Sequence, residues 1–544
     1  MKKKSLLLAV LLAASFQTIN AQEQDQAVQS ILREGMVNNR TMDHLDVLCN
    51  RFGGRILGSA AYGDAADWCE YIMKSWGLEV WQQECGSLPV GFNRGPWFGR
   101  MIGGSNMTLH FTTPSYTAGT KGLQRGHVVK EPRSREEFEK IKGTLKGAWV
   151  LIGGESGGWP IDYTPAGDSL RASVLAYNDS IRQVNSSNRI KNRETERRMQ
   201  ELAAAYSKEK SERKKAKLLK ETDALKAALI PKIKPKYVPA LFYREMVDAG
   251  ILGIIQSTKV PITTLYDSRV WQMTFETLPT VPDIKLDEAQ YKVIEEMVGR
   301  REYFQLEFDI RNHFRLGPVK YHNVIAKIEG TEFPDEYVIV GGHLDCFDVA
   351  TGGVDCGSGA SVTLEVARLL AQAGARPKRT ILLCLWAGEE FGLLGSKYFV
   401  EGMKDEMPKV SNYFNRDGGP TVPVGATVPQ AMYDDWCAVS APLEGVLPFE
   451  VKVSTADPRP LPKEAHGSDH AHFAVNGVPT ISFDQGDPTG SNFDYNEIWH
   501  TERDLYNKSI PENQQNASTI TAVIAYGLAN LDHLLDRTGL YKTE

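Results

Sequence analysis

Cysteine is scarce: there are seven in 544 residues, scattered and without a C-x-x-C pair. That excludes a disulfide-stapled scaffold and gives no sign of a zinc knuckle. A basic excess is also missing. The formal charge is −6, the opposite balance from a general nucleic-acid binder, so no nucleic-acid partner is expected. No run beyond the N-terminus approaches the ~18 apolar residues of a membrane-spanning helix, so no membrane insertion is expected either. What remains is ordinary in proportion. Apolar residues make up 42% and charged residues 24%, which excludes wholesale disorder and a collagen-like fibre. At roughly 150 residues per domain, the length predicts two to four folded units.

The N-terminus is more specific. Lys2, Lys3 and Lys4 precede an apolar stretch from Ser5 to Phe16, and Ala21 offers a small residue for cleavage. This pattern predicts a signal peptide over 1–21, cleaved near Ala21, and a periplasmic or extracellular destination. Farther on, 188–236 holds sixteen Lys/Arg against seven Asp/Glu, a local net of +9. Two accounts fit it: a solvated helical hairpin laced by i,i+4 charge pairs, or a lid or docking arm over an acidic cleft. Aromatic residues do not interleave with the basic ones, which again argues against nucleic acid.

Residues 26–86 carry a helical pattern, and strand-like runs follow at 107–113, 148–153 and 250–256. The C-terminal half has a clearer rhythm. YVIVGG (337–342) and TILLCLWA (380–387) are short apolar runs of the kind that fill buried parallel strands, with VPTISF (478–483) as a third. Between the first two, 358–374 has helical periodicity and ends at Gly374. This alternation predicts an α/β fold whose mixed, largely parallel sheet is flanked by helices.

In such sheets, ligand sites lie beyond the carboxyl ends of the strands. The first strand runs into His343-Leu344-Asp345 and the second into Glu389-Glu390. Asp355 lies in the Gly-rich loop TGGVDCGSGA, Asp417 in NRDGG and His500 in EIWHTERD. Two histidines and several carboxylates are hard N/O donors, suited to zinc with a bridging carboxylate. Each taken singly has a plainer account: a hydrogen-bonded His–Asp pair, a solvated helix start, an N-cap, a turn residue. Their joint placement after apolar runs carries the signal.

GGHLDCFD, GGVDCGSGA, RPKRTILLCLWAGEEFGLLGS, NRDGG, HGSDHAHF and WHT together resemble the co-catalytic zinc exopeptidases of the aminopeptidase and plasma glutamate carboxypeptidase type. RFGGRILGS and VGFNRGP resemble the same family. The stretch from KGLQRGHVV to LPTVPDIKLDEAQYKVI resembles a β-rich protease-associated domain. The resemblance therefore implies a discontinuous peptidase domain, 26–117 plus 314–544. The insertion, 118–313, would carry the charged arm. It also implies two zinc ions bridged by Asp355, with His343 and Asp417 on one, Glu390 and His500 on the other, and Glu389 as general base. Spacing does not separate Glu389 from Glu390; the family does. Asp345 is expected to accept the second N–H of His343, and His466 is the candidate donor to the oxyanion. His470 and His472 read as structural or pocket-wall residues.

Where the family usually has Asp or Asn after its bridging Asp, this chain has Cys356, with Cys346 one residue past Asp345. These two thiols could pair as a disulfide or pack as free small apolar groups. The resemblance also implies a non-prolyl cis peptide at Asp355–Cys356. The expected activity is removal of residues from the end of short peptides by an aminopeptidase or dipeptidase. The alternatives are a glutamate-type carboxypeptidase, a zinc cyclase or amidohydrolase on the same fold, and a catalytically silent binding protein. The sequence leaves the oligomeric state open, a dimer included.

Overall fold

The computed structural model describes residues 24–542; the expected signal peptide over 1–21 lies outside the described residues. The central sheet has five strands in the order Glu79–Asn93, His313–Ile328, Arg379–Trp386, Phe333–His343 and Val410–Asn415. The first two pairings are antiparallel and the last two parallel. Every residue of Arg379–Trp386 is buried, as befits an inner strand covered on both faces. Helix Gly357–Gln372 is buried except at Arg368, Ala371 and Gln372. It packs on the sheet beside helix Pro511–Ala529, which contacts the same strands.

Three elements differ from the sequence expectation. The helical pattern stops at the helix Ala60–Ser75, and 79–86 joins the long edge strand. Its residues pair with His313–Ile328 across a ladder broken by two irregularities. Of the run 478–483, residues 478–481 are buried without forming a strand, and only Phe483 enters one, the short strand Phe483–Gly486 of a separate three-stranded sheet. Pro479 has no N–H to give a ladder, and Asn412 bridges instead, its side chain bonding both N and O of Ile481. The third parallel strand is Val410–Asn415. Residues 107–113 contribute only the two-residue strand Phe111–Thr112.

A second sheet has seven strands in the order Trp97–Ile102, Gln305–Ile310, Gln124–Lys130, Ala148–Glu155, Gly253–Thr258, Asp283–Asp287 and Phe111–Thr112. The expected boundary at 117/118 leaves its first and last strands on the wrong side. Both are tied in by backbone pairing, Trp97–Ile102 to Gln305–Ile310 and Phe111–Thr112 to Leu286 and Lys285. Each closes an edge that would otherwise expose unpaired N–H and C=O groups.

From this second sheet projects the charged segment. Helix Pro165–Lys208 runs 44 residues, ~66 Å at 1.5 Å per residue, so it begins well before 188. Thr164 caps it and Pro165 occupies the first turn, the arrangement favoured at helix starts. Glu212–Ala228 folds back along it, joined by Arg198 to Glu221. The return segment is then held by a ladder. Asn178, Asn185 and Asn192 each bond both the N–H and the C=O of one residue, Lys236, Ile233 and Ile230 respectively.

Candidate metal centre

The parallel strands end at one edge, and their register aligns His343 with Trp386 and Gly341 with Asn415. His343, Glu389, Glu390 and Asp417 therefore leave the sheet together. Asp355 meets them from the loop before helix Gly357–Gln372. The Gly-rich run has a steric reason: Gly352 sits at φ +61°, and a Cβ on Gly359 would lie 2.0 Å from the Arg416 carbonyl oxygen. The peptide Asp355–Cys356 is cis.

Asp355 faces two ways. Its Oδ1 is 3.3 Å from His343 Nε2 and its Oδ2 is 3.6 Å from His500 Nε2. On the first side, His343 Nε2 is 3.6 Å from Asp417 Oδ1. On the second, His500 Nε2 is 3.1 Å from Glu390 Oε2. The five expected ligands thus form two half-sites sharing one carboxylate. Within the cluster, His343 Nε2 and Glu390 Oε1 are buried without a hydrogen-bond partner. Buried polar atoms are normally satisfied, so a divalent cation held by N and O donors fits this constellation.

Asp345 differs from its expected contact. His343 Nδ1 lies 3.0 Å from the main-chain oxygen of Asp345 and 3.5 Å from its carboxylate. The carboxylate instead accepts from the amides of Glu389 (3.1 Å) and Glu390 (3.3 Å). It is the turn after the strand that needs it, because those two N–H groups would otherwise be buried donors without acceptors. Glu389 is pushed up to about 10, first by burial and then by Asp469, Asp417 and Glu390, against the lowering effect of His343. So many acids in little water retain protons unless a cation offsets them.

The cleft above has a volume of about 460 Å³ and is lined by Asp355, Glu389, Glu390, Asp417 and His500 on its floor. Tyr495, Trp499, Lys397, His472 and His466 are among its other walls. His466 is at the rim, its Nε2 3.0 Å from Glu464 and its side chain 78% exposed. His472 lines the wall, as expected. His470 heads the short helix beside it and is mostly buried. Tyr495 was not marked by the sequence. Burial, then Asp355 and Asp417, push its phenol far above the ordinary range, so it stays a hydrogen-bond donor. Asp504 was also missed. It accepts from the amides of Val354 (2.7 Å) and Asp355 (3.2 Å) and fixes the bridging loop. Neither has a local signal: a lone Tyr or Asp in a polar stretch carries no periodicity.

All seven cysteines are free. Cys346 Sγ accepts from the Arg55 amide, while the Cys356 thiol donates to the Arg416 carbonyl, each at 3.1 Å. They pack as the small apolar groups of the second account.

Residues 323–525 match Peptidase family M28. Among curated relatives, mouse (Mus musculus) carboxypeptidase Q is 30% identical over 317 residues, 55% of this chain and 63% of that protein. A probable glutamate carboxypeptidase of Arabidopsis thaliana is 47% identical over 181 residues, covering 29% of this chain and 24% of that one. The chain spans about three fifths of the length of the carboxypeptidase Q relatives it matches. A Peptidase M28 precursor from Shewanella amazonensis superposes with a TM-score of 0.54 at 19% identity, over 95% of this chain and 98% of that one. That likeness establishes the shared fold.

Proposed function

From the Peptidase family M28 domain that residues 323–525 carry, we infer that the protein is an exported dizinc exopeptidase acting on the ends of short peptides, as an aminopeptidase or dipeptidase. One observation carries the reading. Asp355 presents one oxygen to each of two half-sites, in which a buried imidazole nitrogen and a buried carboxylate oxygen lack partners. His343 and Asp417 would hold one ion, Glu390 and His500 the other, with Asp355 between them. Zinc bound there would supply carbonyl polarisation and a more acidic water. Glu389 takes the proton of the attacking water and returns it to the leaving amine. Tyr495, kept protonated in the cleft wall, donates to the carbonyl oxygen as it gains charge. His466 can share that role only by leaving Glu464.

Replacing Glu389 by Ala should lower kcat about a thousandfold while bound zinc per chain is unchanged. Activity that survives the substitution would show that another group is the base. A second reading, a carboxypeptidase, is favoured by the similarity to carboxypeptidase Q and by Lys397 in the cleft wall. Its Nζ has Glu401 4.0 Å away and can meet a terminal carboxylate. Incubation with mixed short peptides, with products read by mass, decides which end shortens.

A further inference from the structure

The two half-sites differ in what backs them. His343 closes strand Phe333–His343, Asp417 lies two residues past Val410–Asn415, and Glu390 follows Arg379–Trp386, all of the five-stranded sheet. Glu390 and His500 are both backed by residues 262–266, which follow strand Gly253–Thr258 of the seven-stranded sheet. Behind Glu390, the next residue, Phe391, stacks on Tyr266 with centroids 3.9 Å apart. Behind His500, Thr501 pairs with Thr263 through an isolated antiparallel bridge. Glu502 completes the join. Its N–H donates to the Ile262 carbonyl at 3.0 Å, and its Oε1 accepts from the Ile262 N–H at 3.1 Å. Its Oε2 is 2.7 Å from His110 Nε2. His110 precedes the last strand of the seven-stranded sheet and contacts Asp287 at 3.3 Å through its other ring nitrogen.

His500 itself needs such support. Its φ is +57°, a left-handed conformation that non-glycine residues adopt uncommonly. Such a residue persists where its surroundings over-determine it. Two residues on, Glu502 makes three contacts to the seven-stranded unit. Two residues farther, Asp504 holds the Asp355 loop from the other side.

We propose that Glu502 is a positioning residue through which the seven-stranded unit builds the Glu390/His500 half of the metal centre. The inserted unit is then part of the peptidase site and not only a wall above it. The proposal rests on the dizinc reading, because it needs two separable ions.

The test is stepwise zinc binding to the full-length protein, followed by competition with a chromophoric chelator, for wild type and the variants Glu502→Ala, Glu502→Gln and His110→Ala. In Glu502→Ala one of the two equivalents should lose about tenfold in affinity, the effect typical of residues that orient ligands, while the other is unchanged. Glu502→Gln should restore it, since an amide oxygen still accepts from Ile262 and its N–H still faces His110. His110→Ala, far in sequence from every ligand, should reproduce part of the loss. Two equivalents bound alike in wild type and Glu502→Ala would overturn the role of Glu502. Equal weakening of both equivalents, or no rescue by Gln, would overturn it too, pointing to general destabilisation. A wild type that takes up a single equivalent would instead overturn the dizinc reading.

Discussion

Glu365 lies on the buried face of helix Gly357–Gln372, with no exposed side-chain surface. It accepts from both Nε and Nη2 of Arg368, from the Arg40 amide, and contacts His44 at 3.2 Å. Burial alone would raise its pKa, but Arg368 and His44 outweigh it and hold the carboxyl below its ordinary value. The unfolded chain therefore binds this proton at higher pH than the folded one. The carboxylate's contribution is complete above the ordinary glutamate range and is lost as pH falls through the lower folded value. Glu365→Ala should cost about 3–5 kcal/mol at neutral pH, because Arg368 is left without its partner. The difference in midpoint from wild type should shrink as pH drops below about 4. A difference that grows towards acid would refute the account. Among single residues, the five candidate ligands that the structure brings together stood out because they follow apolar runs or lie in glycine and turn contexts. Glu502 was not: its partners His110 and Ile262 lie 392 and 240 positions away, and no spacing rule reaches that far.

Among elements, the fully buried strands announced themselves as unbroken apolar runs. Val410–Asn415 did not, because Ser411, Asn412 and Asn415 interrupt its apolar pattern. All three are used: Asn412 by Ile481, Asn415 by Tyr413 and Ser468, Ser411 by the Leu535 amide. Buried polar side chains with distant partners look like surface residues from the sequence. The charged arm was legible as helix but not in its reach or anchoring. No residue of 165–236 is among those lining the cleft, which favours the solvated hairpin of the two accounts. Deleting 188–236 should leave the ratio of kcat/KM on dipeptides to that on longer peptides unchanged. A gain confined to longer peptides would restore the lid.

For the whole molecule, metal and protons are linked. Burial and neighbouring carboxylates raise the proton affinity of Glu389 to about 10 and push Glu390 well above its ordinary range. At neutral pH the metal-free centre therefore carries protons that a divalent cation must displace. Zinc titrated into chelator-stripped protein at pH 7 should release protons. Calorimetry in two buffers of different ionisation heat would show this as a buffer-dependent enthalpy, and identical enthalpies would refute it. Stripping should also lower the Tm, since a ligand at a hundred times its Kd stabilises the native state by about 2.7 kcal/mol. The mixed sheet and the strand-edge site were readable from short-range patterns. How the second sheet is completed at its edges was not, because its outer strands come from before the expected boundary and pair with residues about 170 to 210 positions away.

The asparagine ladder on the arm sets a rule for how that arm can change. Successive rungs are seven residues apart on the helix, ~10.5 Å of rise, and three apart on the return segment, ~10 Å of extended chain. The two rulers agree only when both advance together. Losing or gaining a few residues on one side would put every later asparagine opposite the wrong peptide group. The ladder can therefore lengthen or shorten only in paired steps of seven out and three back. Across evolution its length should be quantised, in units of ten residues.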